Sequence, residues 1–184
     1  MTADQYCKAM RNTNLEQRDL ILEAIHRMHA DGGAADSTPI QIFFTGPAGC
    51  GKTFTIKLLM ETYNRFGKQH NNVLNAYVAC ASTGMAAEVI DGTTVHSAFQ
   101  IGTGRDMGLS VEALNGFRAA FRNVRVVFVD ECSMIGSGML QIIDSSLKNI
   151  MHNHEQPFGG MNMVFCGDLR QLPPFCQAAV YKRN

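Results

Sequence analysis

The sequence predicts an α/β fold, a parallel sheet flanked by helices. Three observations carry that prediction. Short apolar runs rich in β-formers alternate with helical segments of roughly 8–15 residues, the pattern of repeated strand–helix–strand units. The run Val124–Val129 is apolar around a single Arg125, as expected of a strand buried on both faces. The 184 residues are 46% hydrophobic and only 17% charged, enough apolar material for a core without metals or disulfides.

The elements follow in order. Residues 14–30 predict a helix, with Leu15, Leu22, Ile25 and Met28 near helical spacing and Asn14 as N-cap. Asp31–Pro39 is a turn-rich connector, so residues 1–39 are expected as a helix and linker ahead of a main lobe over 40–184. Ile40–Thr45 predicts a buried strand ended by Gly46-Pro47. Lys52–Phe66 has helical periodicity through Ile56, Leu59, Met60 and Tyr63, with Gly67 as C-cap. Val73–Ala81 is a second strand, and Thr83–Ile90 a short helix closed by Asp91-Gly92. Residues 102–108 read as a loop and Val111–Phe121 as a helix. Val124–Val129 is a third strand, leading into Asp130-Glu131. Met139–Ile150 is a helix with Leu140, Ile143, Leu147 and Ile150 on one face, and Met161–Cys166 a fourth strand ended by Gly167-Asp168.

Composition excludes several classes. Lys plus Arg equals Asp plus Glu, 16 against 16, so no strongly basic field announces a nucleic-acid binder, although a local groove stays compatible. No apolar stretch reaches the 18 or so residues of a membrane span, and no apolar leader follows Met1. The six cysteines lack the CxxC spacing of a zinc site and read as reduced thiols of an intracellular protein. His152 and His154 read as a solvated helix end, Arg118, Arg122 and Arg125 as a solvated basic face, and the 11 methionines as core fillers.

The string Gly46-Pro47-Ala48-Gly49-Cys50-Gly51-Lys52-Thr53 carries the chemistry. It fits G-x-x-x-x-G-K-[ST] and lies between a predicted strand and a predicted helix, where such a string can cradle phosphates. Glycines at 46, 49 and 51 let the backbone curl so that N–H groups face phosphate oxygens, and the next helix adds its positive dipole end. Lys52 then reaches the outer phosphates, the Thr53 hydroxyl ligates Mg²⁺, and Phe54 completes the expected nucleotide-binding set. At the end of the third strand, Asp130 is placed to hold Mg²⁺ and Glu131 to polarise the attacking water. ATP and Mg²⁺ are the expected cofactors.

Six ordered strings add to this: Leu15-Glu-Gln17, Gly46–Thr53, Ala81-Ser-Thr-Gly-Met-Ala-Ala87, Gly92-Thr-Thr-Val-His-Ser97, Asp130-Glu-Cys-Ser-Met134 and Gly167-Asp-Leu-Arg-Gln-Leu-Pro-Pro174. Together they resemble superfamily 1B DNA helicases of the Petite Integration Frequency-like kind, including those in Helitron-type elements, and more distantly RecD. The resemblance implies an N-terminal RecA-like lobe with P-loop NTPase activity. It implies that Gln17 contacts adenine, that Gln171 senses the γ-phosphate, and that Lys52, Glu131 and Gln171 are the catalytic set. It also implies single-stranded DNA contacts from Ser82, Thr83, Gly84, Thr94, His96, Ser97 and Phe99. Hydroxyls and backbone N–H groups can hold a DNA phosphate without positive charge, and His96 and Phe99 can stack on bases.

Motors of that family place ATP between two RecA-like lobes, the second supplying an arginine finger. Its strings are not found before Asn184, so this chain is expected to be one lobe of a longer, monomeric, nuclear or mitochondrial 5′-to-3′ helicase acting in DNA repair, recombination and telomere maintenance. Two alternatives stay open. One is a nucleotide-binding fragment or inactive element remnant without turnover. The other is a different P-loop ATPase, which gives no reason for the Thr-Val-His-Ser and Gln-Leu-Pro-Pro strings.

Overall fold

The computed structural model describes residues 1–30, 38–66, 75–101, 111–174 and 178–179. Strands β1 (Gln41–Thr45), β2 (Tyr77–Ala81), β3 (Thr93–Thr94), β4 (Val126–Asp130) and β5 (Asn162–Gly167) form one sheet in the order β1-β5-β4-β2-β3. Every pairing is parallel. The α/β prediction therefore holds, and helices cover both faces.

Strand β4 is central and all five of its residues are buried. Its alternation divides the core. Val126 and Phe128 point to one face, with Val164 and Cys166 of β5 and Ala79 and Ala81 of β2. On that face pack α1 (Ala3–Arg11), α2 (Leu15–Ala30) and α3 (Lys52–Phe66), through Tyr6, Ile21, Ala24, Ile56, Leu59 and Tyr63. Tyr63 and Tyr77 each meet the Phe128 ring edge-on, with centroids 5.9 Å away. Val127 and Val129 point to the other face, toward α5 (Val95–Ala98), α6 (Val111–Phe121) and α7 (Ser137–Met151). There Ile143, Leu147 and Ile150 of α7 line up at helical spacing, as the sequence predicts.

Helix ends explain several boundaries. Asn14 caps α2 as expected: its Oδ1 accepts from the Gln17 N–H at 2.8 Å, and the Gln17 side chain accepts from the Asn14 N–H at 3.1 Å. Helix α1 was not expected: its apolar stripe, Tyr6, Ala9 and Met10, has helical spacing but spans little more than one turn of a short, mostly polar segment. Thr2 and Gln5 form the same reciprocal cap there, and the Tyr6 hydroxyl shares a buried 2.9 Å hydrogen bond with Thr62 of α3. Thr83 caps α4 (Gly84–Val89), inside the predicted 83–90 segment. Strand β4 runs two residues later than predicted, because Val124 closes a turn onto Phe121 before pairing begins. Strand β2 starts at Tyr77, and residues 73–74 of the predicted strand lie outside the described residues, as do the Gly67 cap and the 102–108 loop. Cys80, Cys132 and Cys166 are buried thiols, and burial pushes Cys80 up to about 12. Among the described residues, no helix is long and apolar enough to cross a membrane.

Candidate active site

Strand β1 ends beside β5, with Thr45 opposite Gly167. The Gly46 N–H donates to the Gly167 carbonyl at 3.4 Å, and the chain then turns back on itself. Gly49 (φ 80°) and Gly51 (φ 89°) occupy the left-handed region, where a side chain would be strained. Helix α3 opens directly from this turn, so its first N–H groups, without intrahelical acceptors, belong to the same loop. The Thr55 N–H and hydroxyl both donate to the Gly51 carbonyl at 3.0 Å, fixing the junction. Lys52 Nζ donates to the carbonyls of Gly46 (2.8 Å) and Pro47 (3.0 Å), folding its ammonium over the loop. Thr53 is half-buried, and Phe54 is exposed at the rim. Gln17 reaches the loop from α2: its Nε2 lies 3.5 Å from the Cys50 carbonyl. An open cleft lined by Thr45, Gly46, Pro47, Asp168, Leu169 and Arg170 adjoins the loop.

The acidic pair arrives from β4. Asp130 follows the alternation of Val126 and Phe128, so its side chain falls on the α3 face, the side of the phosphate loop. It is 6% exposed, and its Oδ1 accepts from the Glu131 N–H at 2.8 Å. Glu131 is half-buried and left-handed (φ 50°, ψ 41°). Burial raises its carboxyl above the ordinary range, the Asp130 and Asp168 charges add to the shift, and the Lys52 ammonium opposes it. That Lys52 and Asp168 both act on Glu131 places all four groups in one electrostatic neighbourhood. After β5, Asp168 is 7% exposed and its carboxylate accepts from the Arg170 N–H at 3.0 Å. Gln171 is exposed and its N–H donates to the Asp168 carbonyl at 3.0 Å.

The residues expected to contact DNA lie across the sheet, past β2 and β3. Thr83 and Gly84 begin α4, and the Thr83 Oγ1 accepts from the Ala86 N–H at 3.2 Å, leaving its O–H free to donate. Thr94 caps α5 and donates to the Ser97 Oγ at 3.0 Å, which frees the Ser97 hydroxyl hydrogen. His96 and Ser97 are exposed. Two placements differ from expectation. Phe99 is 1% exposed and packs in the core with Val95, Val127 and Val129, so its ring offers no face to a base. The Ser82 hydroxyl does not point outward but donates to the Glu131 carbonyl at 2.6 Å.

Sequence reasoning gave Asp168 only a turn-shaping role and gave Cys166 none beyond packing. The structure buries Asp168 just past β5, the strand beside β4, and buries the Cys166 thiol, which the nearby Asp130 charge pushes up further. The missing signal is strand order: β5, the last strand, inserts between β1 and β4 and so brings Asp168 between the loop after β1 and the acids after β4.

The parallel sheet, the glycine-bent loop opening α3 and the acid at the end of β4 place this chain among the P-loop α/β folds. Comparison narrows the class. Residues 12–183 match the PIF1-like helicases, and the chain belongs to that family. Over 137 residues it is 36% identical to the ATP-dependent DNA helicase PIF1 of Saccharomyces cerevisiae, covering 72% of this chain and 15% of that protein. The Candida albicans Pif1 helicase crystal structure superposes with a TM-score of 0.65 at 28% identity, over 89% of this chain and 34% of that one. The Bacteroides Pif1 helicase in complex with ADP-AlF3 and single-stranded DNA gives a TM-score of 0.62 at 28% identity, over 89% and 34%. The chain thus spans about a third of these solved structures and less of the yeast protein.

Proposed function

We propose that this chain is the N-terminal motor lobe of an ATP-dependent DNA helicase, and that it binds ATP·Mg²⁺ and single-stranded DNA. The observation that carries the reading is the convergence of the glycine-bent loop bearing Lys52, the Asp130-Glu131 pair and Asp168 at the C-terminal ends of the adjacent parallel strands β1, β4 and β5. Gly46 through Thr53 wrap the phosphates, with Phe54 at the rim, and Lys52 exchanges its carbonyl contacts for phosphate oxygens. Gln17, already against the loop, contacts adenine. The Thr53 hydroxyl and the buried Asp130 carboxylate are hard oxygen donors of the kind Mg²⁺ takes, and this pair would hold it. Bound there, Mg²⁺ supplies charge neutralisation on the phosphates. Glu131 accepts a proton from the attacking water, and Gln171 senses the γ-phosphate.

Thr83, Gly84, Thr94, His96 and Ser97 form the strand path, using hydroxyls, backbone N–H groups and one exposed ring. The reading draws support from the solved relative that holds ADP-AlF3 and single-stranded DNA. Polarity (5′-to-3′), monomeric action, a nuclear location and roles in repair, recombination and telomere maintenance rest on the family resemblance. Because the chain spans only part of its relatives, turnover is assigned to the full-length protein, and the isolated chain is expected to bind nucleotide with hydrolysis near background. The test is ATP hydrolysis by the full-length protein with and without oligothymidine. Stimulation by the strand is expected; hydrolysis indifferent to it contradicts a DNA motor.

A further inference from the structure

We propose that Ser82 is a positioning residue for hydrolysis: its hydroxyl holds Glu131 in its left-handed conformation and ties it to the segment that meets the nucleic-acid strand. The proposal rests on the reading of Glu131 as the general base. Ser82 and Glu131 are 49 residues apart in sequence but leave the sheet side by side, because Ala81 of β2 pairs with Asp130 of β4. Each is the first residue past its strand.

Glu131 carries a side chain in the left-handed region, a conformation that strains a non-glycine residue and persists only where its surroundings enforce it. Both ends of its backbone are held. The N–H donates to Asp130 Oδ1 at 2.8 Å. The carbonyl accepts from Ser82 Oγ at 2.6 Å and from the Met134 N–H at 3.1 Å, which starts the turn Cys132–Met134. With the backbone clamped, the position and direction from which the side chain leaves the chain are set, which limits where its rotamers can carry the carboxyl. The Ser82 contact is the shorter of the two on the carbonyl and is part-buried, where a hydrogen bond is screened less than at the open surface.

The same hydroxyl has a second connection through its own chain. Thr83 is the N-cap of α4, bonded to the N–H of Ala86 through its hydroxyl and to that of Ala87 through its carbonyl. A strand engaging Thr83 and Gly84 therefore pulls on the residue whose hydroxyl holds Glu131. A displacement of about 1 Å in a reacting group can cost about a hundredfold in rate, so a small shift here is enough to gate hydrolysis.

The experiment compares Ser82→Ala, Ser82→Cys and Ser82→Thr with Glu131→Gln in the full-length protein. Steady-state ATP hydrolysis is measured at saturating oligothymidine, and strand affinity by fluorescence anisotropy. Ser82→Ala is expected to lower kcat about tenfold or more, while KM for ATP and strand affinity stay within about threefold. Ser82→Thr keeps the hydroxyl and should stay within about threefold of wild type. Ser82→Cys keeps a side chain at the position but replaces the hydroxyl by a weak donor, so it should lose kcat with its melting temperature preserved; it decides the matter if the alanine variant does not fold. Full kcat in Ser82→Cys, or a loss confined to strand affinity with kcat intact at saturation, would overturn the proposal. Near-normal turnover in Glu131→Gln would remove the general-base reading and this proposal with it. Loss of turnover in Glu131→Gln beside full turnover in Ser82→Ala overturns this proposal alone.

Discussion

The two ends of the candidate site are built by opposite means. At the nucleotide end, β1, β4 and β5 are five or six residues long, and Asp130 and Asp168 are buried charges. At the strand end, β3 has two residues, α5 has four and α4 has six, and the polar side chains are hydroxyls and one imidazole, half-buried at Thr83 and Thr94 and exposed at His96 and Ser97. The difference is one of required precision. Phosphoryl transfer needs charges fixed against a packed core, where they act in low dielectric without reorganising. Holding a DNA backbone irrespective of sequence needs donors that face outward and adapt. A neutral composition is compatible with both tasks, because hydroxyls and backbone N–H groups can hold a phosphate without positive charge.

The comparison can be broken most forcefully at Glu131. Glu131→Gln should lower kcat by about 10²–10⁴ while nucleotide affinity stays within about threefold, as measured by steady-state hydrolysis and equilibrium titration. A similar fall in affinity would mean that the acid binds rather than activates. Phe99 tests the strand end from beneath. Phe99→Ala should destabilise by about 3–5 kcal/mol, because it empties a ring-sized space in the core. Phe99→Leu should melt closer to wild type and bind oligothymidine normally; lost strand binding without lost stability would return the ring to the DNA path. Thr83→Ala removes a helix cap and should cost about 1 kcal/mol in denaturant unfolding while weakening oligothymidine binding a few-fold.

The smallest effect concerns pH. The folded state raises the Glu131 carboxyl above its ordinary value, so the fold binds that proton more tightly than the unfolded chain does. The ionised group is therefore a burden that is absent below the ordinary carboxylate range and grows as pH rises through the raised value. Glu131→Gln should thus raise the melting temperature by about a degree at pH 7, without Mg²⁺ or nucleotide, and by less at pH 4. An equal gain at both pH values would show that the shift is not what the substitution relieves.

Much of this arrangement is legible in the residues themselves. The apolar run into Asp130 is a central strand because both its faces are covered, and Lys52–Phe66 is a helix because its apolar stripe meets the sheet. The phosphate loop is legible because its chemistry is local: glycines, lysine and threonine act within eight consecutive residues. What escapes is decided by sheet order. Nothing near Ser82 in sequence says that β2 lies beside β4 and that its hydroxyl will meet Glu131. Nothing near Phe99 says whether a ring after a four-residue helix turns inward. Helix α1 escapes for a different reason: its apolar stripe, Tyr6, Ala9 and Met10, covers little more than one turn of a mostly polar nine-residue segment.

The central claim, that the loop between β1 and α3 holds the phosphates of the ATP whose hydrolysis the strand stimulates, is tested most directly at Lys52. Oligothymidine-stimulated ATP hydrolysis should be measured in the full-length protein and in its Lys52→Ala variant. The account predicts a fall of at least about 10²–10³ in kcat, with folding intact by thermal melting. Stimulated hydrolysis near the wild-type level in that variant would contradict it.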